Sequence, residues 1–480
     1  MSKVTGKGFP LSPVTCLLFP AFCLLSSAFI SFVACPSLSA SDPEPGMVQG
    51  GGWAATYGGA NTDRAYSIQE THDGGYIVAG WTDSFVAVDK IRGRDRDVWI
   101  LKLKPDGAVE WQKTYGGANE DEAYCVQQTG DGGYIVAGLT LSFVAGSLWV
   151  LKLGADGSVE WQKAYWGENV KVVESIQETR DGGYIMAGKT IPFAPGSSDL
   201  WVSKLRADGA VEWEKTYGGE RWDEAHSIQE TSDGGYIVAG KTGSFGAGKD
   251  DIWLLKLRPD GTIEWQKGYG GANGDGAESI HQTGDGGYIV VGKTQSFGTE
   301  GRGGEIWDFW VLKLRPDGMV EWQKTYGGKD WDWARYIQET RNGGYIVAGS
   351  TASFGGGDFD LWVLKLRADG AVEWQKTYGG VKEDHVCSIR ETSDGGYIVA
   401  GETWSFGAGE GDIWVLKLRP DGSIAPSCDF VRDTSISGKD STATGSTTRA
   451  TRIIRDINVI PIDTSATVRD TNIPARILCP

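Results

Sequence analysis

Asp73-Gly74-Gly75-Tyr76-Ile77-Val78-Ala79-Gly80 decides how this chain is read, because DGGYI or a near copy of it keeps returning. The copies begin at Asp73, Asp131, Asp181, Asp233, Asp285, Asn342 and Asp394, at intervals of 50 to 58 residues. Each stands in one larger frame: W-x-K-x-YGG, then SIQET, DGGYIVAG, a loop carrying SFGAG, and WVLKL-x-x-DG. A fixed period of this length predicts stacked supersecondary units sharing one core.

Working outward from the fourth copy, four strand signals are separated by turn chemistry. They run from Glu224 to Thr231, Gly235 to Thr242, Asp251 to Leu257 and Thr262 to Tyr269, here called A, B, C and D. Asp233-Gly234-Gly235 and Pro259-Asp260-Gly261 predict tight A–B and C–D turns, since proline presets φ and glycine accepts φ > 0. B and C are apolar on both parities (Tyr236 to Ala239; Ile252 to Leu255), which predicts cover on both faces. D alternates Ile263, Trp265 and Lys267 with Glu264 and Gln266, as an outer strand does. A four-stranded sheet covered on both faces by copies of itself is a propeller blade.

The ends of the array predict closure. Trp53-Ala-Ala-Thr-Tyr57-Gly58-Gly59 is a D strand with no A, B or C before it. After Asp421-Gly422-Ser423-Ile424, Ala425-Pro426-Ser427-Cys428 stands where a D strand should follow. Fitting the first into the last closes a circle and removes two open edges. The fold class expected is therefore all-β: a seven-bladed propeller over 53–424, closed by an N-terminal strand. At 425–480 a small C-terminal β module or stalk rich in Ser and Thr is expected, with disorder as the competing reading.

DGGYIVAG resembles the DGxIYVIGG strand of Kelch blades, and WVLKLRADGAVEW (362–374) resembles the ALDxxTGxxxW run of quinoprotein propellers. Together the units are similar to those of secreted prokaryotic propeller-repeat proteins with W-x-KTYGG…DGGYIVAG…WVLKL repeats, a likeness covering Trp53 to Ile424. Such proteins share no activity, so the resemblance implies a fold and no function.

Residues 1–40 read as an export segment, with 41–52 as a linker. Lys3 and Lys7 precede a mostly apolar run from about Leu11 to Ala34. Leu38-Ser39-Ala40 fits an ordinary signal-peptidase site, Phe32-Val33-Ala34-Cys35 a lipoprotein box, and the run is long enough for an uncleaved anchor. All three place the repeats outside the cytoplasm, secreted or on the cell envelope. The membrane is then met only through an N-terminal lipid or anchor. Export favours a disulfide between Cys428 and Cys479, while Cys125 and Cys387 read as free thiols within the repeats. A formal net charge of −17 argues against nucleic acid as partner. A monomer is expected.

Strand direction puts the near-invariant A–B and C–D turns on one face and the variable B–C and D–A loops on the other, the usual place for binding. An aspartate recurs in six D–A loops (Asp63, Asp121, Asp223, Asp275, Asp332, Asp384), with Lys171 in the third unit. Each reads as a pin for its own loop rather than a cation ligand. Trp166, Trp222, Trp331, Trp333, Trp307 and Trp404 fall where other units carry small or polar residues, and are candidates for sugar stacking or partner anchoring. Two residues before the SIQET isoleucine stand Tyr66, Tyr124, Glu174, His226, Glu278, Arg335 and Cys387, an unlike set that symmetry would gather at the channel mouth. Drift at a tolerant position accounts for them equally well.

No nucleophile elbow, phosphate loop or zinc spacing appears, and no cofactor is implied. Three readings remain: a non-catalytic surface scaffold binding a glycan or protein, a polysaccharide hydrolase or lyase using Glu174, Glu278 and His226, and a purely structural envelope component.

Overall fold

The computed structural model describes residues 51–424 except 86–95, 144–145, 168, 193–196 and 299–305. Beyond 424 it describes 428, 430–434, 436, 439–440, 455–456, 460–463, 467–470 and 476–479. The export segment, most of the linker and the middles of the two longest B–C loops (Asp83 to Arg96, Gln295 to Trp307) lie outside the described residues.

Seven antiparallel sheets, each ordered A–B–C–D, repeat along the chain. In the fourth these are Asp223–Glu230, Tyr236–Thr242, Asp251–Leu257 and Ile263–Tyr269. The fold is a seven-bladed β-propeller. Trp53–Tyr57 supplies strand D of blade seven, pairing antiparallel with Asp412–Leu418 from Trp53↔Lys417 to Tyr57↔Ile413. A second ring of bonds closes the same circle. His72, Gly130, Arg180, Ser232, Gly284 and Arg341 each donate a backbone N–H to Gln128, Glu178, Glu230, Gln282, Glu339 and Glu391 of the next blade. Ser393 completes the ring at 2.7 Å from Glu70 of blade one.

The DGG signature has a specific physical cause. In blade one, Asp73 Oδ1 accepts the N–H of Gly75 at 3.0 Å, while Gly74 sits at φ 79°, open to glycine at no steric cost. A Cβ on Gly75 would lie 2.5 Å from Lys102 Nζ, the buried lysine of WxLKL that reaches back from strand C to pair with Asp73 at 2.8 Å. The second glycine makes room first for the Leu103 carbonyl, 2.3 Å from such a Cβ, and then for that lysine.

The core lies between blades rather than within them. Ile77 and Ala79 of strand B pack on blade two, whereas Tyr76 and Val78 pack on blade seven. Both parities are thus buried, as the apolar runs predict. Each strand C carries a fully buried tryptophan (Trp99, Trp149, Trp201, Trp253, Trp310, Trp362, Trp414). Trp253, for example, lies 5.2 Å from the Phe245 ring of the SFGAG loop. Truncating such an indole to alanine costs about 3–5 kcal/mol.

Most of the C-terminal module expected at 425–480 lies outside the described residues. Its short strands add to the outer edges of six blades, and blade four keeps four strands. Asp433 lies opposite Lys376, Asp440 opposite Lys324, Asp456 opposite Lys215, Asp463 opposite Lys163 and Asp470 opposite Lys113. The last strand, Arg476–Cys479, lies outside Trp53–Tyr57.

Candidate functional site at the channel mouth

Every strand A breaks register once, between Ala65 and Ser67 in blade one and at the corresponding point in the other six. The residue left over is the bulged one: Tyr66, Tyr124, Glu174, His226, Glu278, Arg335 and Cys387. A β-bulge re-aims its side chain, and all seven line one axial channel of about 840 Å³. The glycine ending DGGYIVAG permits this. A Cβ on Gly80 would meet Arg64 O at 1.8 Å, and Gly138 and Gly240 face the same clash with Glu122 and Glu224. An invariant glycine on strand B therefore builds a variable position on strand A.

The mouth is divided into sectors. On blades one and two, Tyr66 and Tyr124 meet edge to face at 5.2 Å, and Arg64 lies 5.1 Å over the Tyr66 ring. On blades three to six, two nearly buried carboxylates organise the polar groups. Glu278 receives Lys293 at 2.9 Å, His226 Nδ1 at 3.6 Å and Arg335 at 3.7 Å. Glu224 receives Lys189 at 3.2 Å and Lys241 at 3.9 Å. Burial alone would raise Glu278, but His226, Lys293 and Arg335 outweigh it and hold the carboxyl at about 2. Glu174 goes the other way: burial raises it, and His226 and Lys189 offset that only in part. Deeper in the channel His281 replaces the recurrent glutamine; burial and Arg390 push it down to about 4.

The tryptophans separate into two groups. Trp166, Trp222, Trp331 and Trp404 are 48, 41, 46 and 39 % exposed. Trp333 and Trp307 are half-buried. Trp333 belongs to strand A (Asp332–Glu339) rather than to a loop, and its ring stacks on Phe359 at 5.1 Å and neighbours Trp331 at 5.6 Å. Lys241 lies 4.4 Å from the Trp222 ring and Lys293 5.4 Å from that of Trp307. Trp166 ends strand D of blade two (Val159–Trp166) and has a structural origin. It replaces the first glycine of YGG, where in blade four a Cβ would lie 1.6 Å from Asp251 Oδ1. Blade two has Ser147 in place of that aspartate, so a side chain is admitted.

The recurrent D–A aspartates open strand A and pin their loops. Asp63 accepts the N–H of Gly59 at 2.8 Å and the hydroxyls of Thr82 and of Ser84, the latter at 2.7 Å. Burial raises Asp63 to about 6 and Asp332 to about 7 against these donors. Lys171, the exception, is buried and meets Glu214 at 3.4 Å. Of the sulfurs, Cys125 and Cys387 are free and both line the channel. Cys428 is disulfide-bonded.

No family model matches this chain, and no curated protein does. Solved structures do. Sqt1 from Chaetomium thermophilum is 11 % identical over 76 % of this chain and 100 % of its own, with a TM-score of 0.44. A candidate gluconolactonase is 12 % identical over 64 % and 88 %, TM-score 0.32. The V. cholerae biofilm matrix protein Bap1 is 9 % identical over 74 % and 91 %, TM-score 0.24. The blade topology above stands on its own strand pairing, and the chemistry of the mouth on its own residues.

The reading of strand A from sequence named the seven residues of this ring but not the bulge that re-aims them. It missed the residues directly across on strand B: Trp81, Leu139, Lys189, Lys241, Lys293, Ser350 and Glu402, paired with Arg64, Glu122, Val172, Glu224, Gly276, Trp333 and His385. They sit immediately after the glycine of DGGYIVAG and vary as much as the bulge, which was the available signal.

Proposed function

We propose that this protein is an exported, monomeric, non-catalytic propeller that binds a glycan at the cell surface through the mouth formed by its B–C and D–A loops. One observation carries the reading. Where the scaffold repeats nearly every other residue, the bulge position holds seven side chains of five types around a single channel, with Trp333 in its lining and the exposed Trp331 against Trp333. Concave sites with convergent polar groups and aromatic walls suit ligands that present both hydroxyls and apolar ring faces. A protein partner would fit the same face. Export rests on the N-terminal segment read in the sequence. A glycan array probed with the purified full chain, compared with the Trp222→Ala/Trp331→Ala double variant, tests the reading. Loss of at least tenfold in affinity at unchanged melting temperature is expected. Unaltered binding by the double variant would remove this face as the site.

A second reading, a polysaccharide hydrolase or lyase, draws on Glu174 and Glu278, whose proton affinities are driven apart around His226. Turnover of a polysaccharide, abolished by Glu174→Gln, would establish it over the binding scaffold.

A further inference from the structure

On blades three, four and five the strand B residue after the last glycine of the repeat is lysine each time: Lys189, Lys241 and Lys293. Blade six adds Arg335 from its bulge. These four cations meet four carboxylates, Glu174, Glu224, Asp250 and Glu278.

The two signs also lie at different depths. The Glu278 and Glu224 side chains are 7 and 11 % exposed, while Lys293 is 28 % and Arg335 49 % exposed. Arg335 and Glu278 line the channel, and Lys293 reaches Glu278 from strand B. An ammonium has three N–H donors and a guanidinium five, so single ion pairs of 2.9 and 3.7 Å leave most of them unspent. Beside them stands the Trp333–Phe359 stack, on the same strand as Arg335. A flat aromatic face next to a fork of donors matches a pyranose ring bearing a carboxylate.

Resting on the glycan reading above, we propose that the mouth between blades four and six is a subsite for an acidic sugar. Arg335 and Lys293 hold the carboxylate of a uronic or sialic acid residue and Trp333 underlies its ring. The inward acid Glu278 sets the orientation of both cations and is a positioning residue. A polyanion bound by charge alone would have no use for the aromatic stack, and the overall acidity of the chain opposes one.

The test uses the full chain. Titration calorimetry at low and at physiological salt compares oligogalacturonate, oligoglucuronate, alginate oligomers and sialyllactose with their carboxyl-reduced counterparts. At least one acidic sugar should bind at least tenfold more tightly than its reduced form. Arg335→Gln and Lys293→Gln should erase that preference while affinity for the reduced form stays the same. Arg335→Lys, which leaves Glu278 paired, should keep part of the preference and the wild-type melting temperature. Equal affinity for acidic and reduced forms overturns the subsite but leaves the glycan reading standing. Binding of neither form overturns both. Preference that survives Trp333→Ala but collapses at physiological salt identifies simple charge attraction, and also sinks the proposal.

Discussion

Asn342 stands where six blades carry the aspartate of DGG, and its consequences are local and readable. In those six the carboxylate receives a buried lysine at 2.7 to 2.9 Å. In blade six Lys365 donates instead to Gly343 O at 2.9 Å, and Gly344 joins Gly343 at positive φ. Burial would raise the aspartates, but hydrogen bonds from lysine, threonine and glycine hold Asp73, Asp131, Asp181, Asp233 and Asp285 at about 2. A carboxyl depressed on folding contributes stability above its unfolded value near 4, and that contribution is lost as pH falls toward 2. Asn342→Asp should therefore raise the melting temperature at pH 7 by roughly 1–2 °C, a small gain because the carboxylate is half-exposed. The gain should vanish in thermal scans below pH 2; a gain that persists there would assign it to turn geometry instead. Asp332 has the opposite sign. Its carboxyl keeps a proton to about 7, so its share of stability declines as pH rises from about 4 to 7.

At the level of strands, the turns and the two-faced burial of B and C were legible, because glycine, proline and unbroken apolar runs each have one physical reading. The boundaries Glu224 to Thr231 and Asp251 to Leu257 fall within one residue of the observed Asp223–Glu230 and Asp251–Leu257. The bulge was not legible. Ala-His-Ser-Ile at 225–228 alternates like any strand, and only Gly240 across the ladder betrays that the backbone crowds inward there. The tail is a different case. Its described strands, two to four residues long, pair with the N–H and C=O groups of outer blade strands. Gln375 donating to Ile436 O at 2.9 Å and Phe430 packing 5.3 Å from Phe406 anchor the first of these strands. The cysteine bridge belongs at this scale too. Peptide mapping without reductant should recover Cys428 joined to Cys479; Cys428 joined to any other cysteine would refute the pairing read from sequence.

For the molecule as a whole, closure was legible from an offset of one strand between the two ends of the array, while the sectors of the mouth were not. Lys189, Lys241 and Lys293 lie 52 residues apart and become neighbours only once the blades are set around an axis. Closure makes a sharp prediction: deleting residues 53–57 leaves Asp412–Leu418 with an open edge, and the product should elute as oligomers or aggregate rather than as a compact monomer. A monomer of wild-type melting temperature would show that the ring is held without that strand. The strand Trp53–Tyr57 is also central in its sheet, hydrogen-bonded to Asp412–Leu418 on one side and to Arg476–Cys479 on the other. Tension applied to the chain ahead of Trp53 would load both ladders in shear together, so the one joint without covalent continuity is where a pull along the polypeptide meets the greatest resistance.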